Sequence, residues 1–263
     1  MIKSVAACVS VAVLAWLVAL GGLVSVVTTL PAVGWRGAVP LVLLCGLATP
    51  AVWATRRAVN ARRVRAMVPA ALLARRFHGS LRAVTDSERR ALRPIGASTR
   101  DVAARTGALL ARLTVDPGVQ IFRGLRAHGA GTPAIPHAVS AGRRLLLVES
   151  VAWPTGRYHV GPDGGVFCDG TYIGQSVGPL VASVRHWRRR LPAAHRVSAV
   201  VVVHPATDGT VVLPRPMPRP LRDDVAFTLA REAADHIGGC LTPHQTTSLA
   251  VIAELVAATE DEA

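Results

Sequence analysis

"IPHAVSAGRRLLLVESV" (residues 135–151) decides how this chain folds. Two short apolar runs flank a turn at Ala141-Gly142, which predicts a β-hairpin with strands near 134–140 and 143–149. The second strand finishes on an acid, Glu149, and the first carries His137 near its start. A carboxylate that closes an apolar strand needs a cationic partner, such as Arg143, Arg157 or a helix N-terminus, or else a ligand. The hairpin is a structural element in the first case and part of a site in the second.

Downstream, "RYHVGPDGGVFCDGTYIG" (157–174) alternates β-prone pieces with Gly/Asp turns and predicts two or three more strands. In "SVGPLVASVRHWRRRL" (176–191), Val177, Leu180, Val181, Val184, Trp187 and Leu191 recur at helical spacing. Arg185, Arg188, Arg189 and Arg190 fall largely on the other side of that helix. "VSAVVVVHP" (197–205) is a continuous apolar run, the pattern of a strand buried on both faces. Upstream, "DPGVQIFRGLRAHG" (116–129) reads as a short helix with Pro117 in its first turn and Gly129 beyond its end. The Pro-rich 213–220 reads as a linker, with helices following near 221–237 and 243–258, the latter opened by Thr242-Pro243. The expected fold class is α/β: a small mixed sheet flanked by helices over 113–212, with the linker and two C-terminal helices over 213–263.

The N-terminal part has a different character. Of 263 residues, 51% are hydrophobic, and no charged residue occurs from Ser4 to Leu30, more than the roughly 20 residues needed to cross a bilayer. A second apolar stretch covers 37–55, so a hairpin of two transmembrane helices over 1–56 fits better than a cleaved signal peptide. Trp35 and Trp53 are placed as interfacial anchors. The connecting loop carries only Arg36, whereas Arg56, Arg57, Arg62, Arg63, Arg65, Arg75 and Arg76 follow the second span. The positive-inside rule then puts both termini in the cytoplasm. Residues 57–112 read as a basic, helical, membrane-proximal segment, with Asp86 and Ser98 or Thr99 as caps.

A net charge of +14, nearly all arginine since Lys3 is the only lysine, favours polyanionic partners. These are the lipid bilayer first, then DNA or RNA, with protein partners open. The cysteines (Cys8, Cys45, Cys168, Cys240) show neither a CxxC nor a Cys/His zinc spacing. "GPDGG" lacks the Lys and following helix of a phosphate-binding loop, and no small-molecule cofactor is evident.

The hairpin, the amphipathic helix and the buried strand together resemble the nuclease-related domain (NERD) family, a branch of the restriction-endonuclease-like PD-(D/E)xK fold, over roughly 112–205. The resemblance implies a site in which an Asp and a Glu hold a divalent metal and a Lys assists the attacking water. Laid on without a gap, the family Asp falls on Pro136, its His on His137, its Glu on Glu149 and its Lys on Val151. A later family Gln corresponds to Gln175, and an upstream acid to Val119 or Gln120. Proline has neither charge nor backbone N–H, and no lysine is within reach elsewhere. One carboxylate is a weak Mg²⁺ site. The resemblance therefore implies a degenerate, non-catalytic member that binds or scaffolds, with Glu149, Gln175 and His137 as the remnant of the site. Arg185, Arg188, Arg189 and Arg190 form the candidate nucleic-acid or anion surface. The alternative is an active, Mg²⁺-dependent nuclease pairing Glu149 with a relocated acid, Asp116, Asp163 or Asp169. A Cys168/His159/Glu149 nucleophilic set and a pocket-facing His204 are further readings of the same region.

Overall fold

The computed structural model describes residues 75–85, 91–126, 133–214, 218, 221, 224–241 and 245–259. All of these belong to the second of two units, Ala70–Ala263. The two expected spans and the arginines from Arg56 to Arg65 lie outside the described residues. Among the described residues no helix is long and apolar enough to cross a membrane.

The expected hairpin is present. Strand β3 (Ile135–Ala141) pairs antiparallel with β4 (Arg144–Trp153) around a turn at Gly142-Arg143, one residue later than the sequence suggests. Gly142 takes φ +57°, a conformation that favours glycine, and this places the turn. On the outer side of β3 lies β2 (Gln120–Leu125), antiparallel to it, and beyond that β1 (Phe77–Gly79), parallel to β2. On the other side of β4 run β8 (Arg196–Pro205) and β10 (Val225–Leu229), both parallel to their neighbour. The mixed sheet thus has the order β1-β2-β3-β4-β8-β10. A second sheet, of order β7-β6-β5-β9, is built from β5 (Gly156–Val160), β6 (Gly165–Cys168), β7 (Thr171–Ser176) and β9 (Val211–Val212).

Helices cover both faces of the larger sheet. Helix α1 (Thr99–Leu110) is capped by Ser98, whose hydroxyl accepts the Asp101 N–H at 3.1 Å. Helix α2 (Gly178–Arg190) has Pro179 in its first turn, and α3 (Ala233–Cys240) and α4 (Leu249–Ala257) close the chain. The pleat separates two apolar layers. Leu145, Leu147, Val151 and Trp153 of β4 pack with Val181, Val184 and Trp187 of α2 and with Val251 and Leu255 of α4. Leu146 and Val148 pack on the opposite face with Leu110 of α1 and Ile237 of α3. Each such large side chain contributes roughly 1.5–3 kcal/mol of burial.

Four expectations are corrected. The helix expected over 116–129 is a turn followed by β2. Asp116 Oδ1 accepts the Gly118 N–H at 2.8 Å, and Ile121 and Phe122, adjacent in sequence, are both fully buried, one in each apolar layer. Only a strand sends neighbouring side chains to opposite faces. The helix expected over 221–237 begins instead as β10, where Val225 and Phe227 complete the α2-side layer beside Ala199 and Val201. Only the later part coils into α3. Finally, the segment 57–112 is not wholly helical, because Phe77–Gly79 pairs with Ile121–Arg123, so the domain starts well before residue 113. Helix α4 is opened by Ser248, whose hydroxyl accepts the Val251 N–H, rather than by Thr242-Pro243.

Candidate functional site

Strand pairing fixes the geometry around Glu149. His137 pairs with Val148 and Ala138 with Leu147, so one step further along the antiparallel ladder Pro136 stands opposite Glu149. Alternation puts Glu149, with Leu147 and Val151, on the face covered by α2 and α4, and Pro136 shares that face with Ala138. The two positions onto which the resemblance lays an Asp and a Glu are thus cross-strand neighbours. The chemistry differs: Pro136 offers no oxygen ligand, and Val151 at the lysine position is fully buried in the apolar layer.

Glu149 is 7% exposed, and its Oε1 accepts the backbone N–H of Ser150 at 3.2 Å. Among the described residues no ion pair joins Arg143 or Arg157 to it. The relocated acids are absorbed by turns. Asp116 holds Gly118, Asp163 Oδ1 accepts the Gly165 N–H at 3.1 Å, and Asp169 Oδ1 accepts the Arg157 N–H at 3.0 Å. Among the described residues no three His, Cys, Asp or Glu side chains gather in a metal-ligating group. His159 stacks on Phe167 with centroids 4.8 Å apart, and the Cys168 thiol faces Asp169 Oδ2 at 3.7 Å; neither is joined to Glu149.

Gln175 is buried and makes three side-chain hydrogen bonds. Its Oε1 accepts from the Trp153 indole at 3.2 Å and from the Arg93 N–H at 3.4 Å, while Nε2 donates to the Arg93 carbonyl at 3.0 Å. It fastens the segment before α1 onto the sheet, with both acceptor positions of Oε1 and one of the two Nε2 donors engaged.

His137 sits on the other face of the sheet from Glu149, since it pairs beside Val148. Its ring lies against Gly107 of α1, where an added Cβ would stand 2.9 Å from Nε2. It is fully buried, and neither ring nitrogen has a hydrogen-bond partner among the described residues. Burial, with the Arg123 guanidinium as a lesser cause, lowers its pKa to about 3, so the ring is neutral.

On the same face the sequence missed a hydrogen-bonded chain. Ser150 Oγ donates to Thr106 Oγ1 at 2.9 Å, and Thr106 Oγ1 lies 2.8 Å from His204 Nε2. Burial, then Arg105, lowers the His204 pKa to about 4, so the ring is neutral. His204, Thr106 and Ser150 are buried, and they tie α1 to β4 and β8. Ser150 directly following Glu149 was the available signal, since alternation sends it to the opposite layer.

The basic helix face divides in two. Arg188 Nη2 donates to Asp224 Oδ1 and to the Val197 carbonyl, both at 2.7 Å, which locks α2 to the sheet. Arg190 pairs with Glu254 of α4 and lies 5.4 Å from the Trp187 ring centroid. Arg185 and Arg189 are exposed and have no ion pair among the described residues. Comparison with family models, with curated proteins and with solved structures found no match.

Proposed function

We propose that this chain is a membrane-anchored bacterial protein whose cytoplasmic domain is a restriction-endonuclease-like scaffold, related to nuclease-related domains, that binds or scaffolds and does not cut. The reading rests on one observation: Pro136 faces Glu149 across the hairpin while Val151 is sealed in the core. The element order α1, β2-β3-β4, α2, β8 supports the scaffold. The substitutions support the loss of chemistry, because a lone carboxylate does not hold Mg²⁺ against a phosphodiester. The spans over 1–56 and the arginines that follow them support the anchor. DNA or RNA is the proposed partner, on Arg185 and Arg189, the cations of the α2 face left unpaired among the described residues.

The test is incubation of the full chain with labelled DNA in Mg²⁺ or Mn²⁺. No cleavage is expected, together with salt-sensitive retention that weakens in Arg185→Ala/Arg189→Ala. Metal-dependent cleavage abolished by Glu149→Ala would establish the active nuclease instead.

A further inference from the structure

We propose that the cavity at the arginine-rich end of the larger sheet binds a small phosphate-bearing anion. The cavity has a volume of about 650 Å³ and is lined by Gly142, Arg143, His195, Gln245, Thr246 and Ser248. It is formed where the β3–β4 turn meets the start of β8 and the segment leading into α4. Glu149 lies five residues along β4 from Arg144, roughly 17 Å at the rise of a strand. The site is therefore separate from the hairpin remnant, and it does not rest on the nuclease-like reading.

Charge is the first argument. Arg144 pairs side by side with Arg196, and the Arg196 N–H donates to the Arg143 carbonyl at 2.8 Å. Backbone pairing thus brings these three arginines and His195 to one end of the sheet, where Arg143 and His195 line the cavity. Like charges on facing positions of adjacent strands are destabilising. Among the described residues none of the three arginines has an ion pair and no carboxylate lines the cavity. Asp116, close to Gln245 through Gly118, is already hydrogen-bonded to the Gly118 N–H. An anion seated there would offset repulsion that the fold otherwise carries.

Shape and hydrogen bonding are the second argument. Gln245 packs directly on the turn, since a Cβ at Gly142 would lie 2.7 Å from its Oε1, and so it walls one side of the cavity. His195 Nδ1 lies 3.3 Å from the Pro192 carbonyl, which holds the ring at the opposite rim. Arg143 brings a planar fork that matches two phosphate oxygens, and Gln245 and Thr246 bring neutral donors. Ser248 already caps its own helix through the Val251 N–H, so the start of α4 is satisfied and is not the feature on which the site depends. The volume falls in the range of small-ligand pockets, roughly 300–1,000 Å³, which favours a phosphate ester with an organic part over a bare ion.

Calorimetric titration of the full chain at about 0.15 M salt tests this, with inorganic pyrophosphate and glycerol 3-phosphate as probes. Saturable one-site binding is expected, weakened roughly tenfold or more in Arg143→Ala and in His195→Ala, and unchanged in Arg231→Ala on α3's approach. Arg143→Gln keeps the stem and takes the place of the alanine variant should that variant not fold. Tighter binding of glycerol 3-phosphate supports the site and points to a lipid headgroup as source; tighter binding of pyrophosphate supports it and points to a soluble phosphate compound. Absence of saturation up to about 10 mM of either probe, or equal affinity in wild type and both pocket variants, overturns the proposal.

Discussion

Acidification should loosen this domain through His137. The ring is fully buried, has no hydrogen-bond partner among the described residues, and has its pKa lowered to about 3 from the ordinary 6.5. A depressed histidine pKa means that the fold holds the neutral ring. Its contribution is complete above pH 6.5 and is lost progressively as pH falls towards the folded pKa, because the unfolded chain takes up a proton that the folded chain refuses. Between pH 7.5 and pH 5 the difference integrates to about 2 kcal/mol, a large share of a typical 5–15 kcal/mol stability. His204, lowered to about 4, acts in the same direction and the same window. Urea unfolding of the full chain, followed by the fluorescence of the buried Trp153 and Trp187, measures this. His137→Leu should lose about 2 kcal/mol less than wild type over that range, about 1 M of urea midpoint at a slope near 2 kcal/mol per molar. Identical pH dependence of the two proteins would refute the reasoning.

Further expectations concern the same contacts. Gly107→Ala would gain up to about 1 kcal/mol of helix propensity on an empty face, but its Cβ meets His137 Nε2, so a net loss of about 1–3 kcal/mol is expected, relieved in the double variant with His137→Ala; chemical denaturation reads both. Arg188→Ala strands Asp224 beneath α2 and should cost about 1–3 kcal/mol, whereas Arg185→Ala and Arg189→Ala should each stay within about 0.5 kcal/mol in the same assay. Gln175→Ala leaves the Trp153 indole N–H and the Arg93 backbone unpaired, and should cost about 1–3 kcal/mol with faster hydrogen exchange over 91–97.

The sequence by itself determined those elements whose hydrophobic period has one solution. The hairpin of β3 and β4, helix α2 with its apolar stripe, and the apolar run of β8 were all legible, because period 2 and period 3.6 leave different marks. The sequence did not fix the elements whose partner lies far along the chain. Residues 120–125 (QIFRGL) and 225–229 (VAFTL) mix β-formers with Gln, Arg, Ala and Leu and show no clean period, and they become β2 and β10 because β3 and β8 present edges on which both faces of the new strand are buried. Such tertiary burial, summed over several side chains, outweighs propensity differences of a few tenths of a kcal/mol per residue. Only the tertiary structure decided which helix covers which face. That choice places Glu149 beneath the α2 and α4 layer, and it sends His137 under α1, where its ring is closed off from the acid that precedes Ser150.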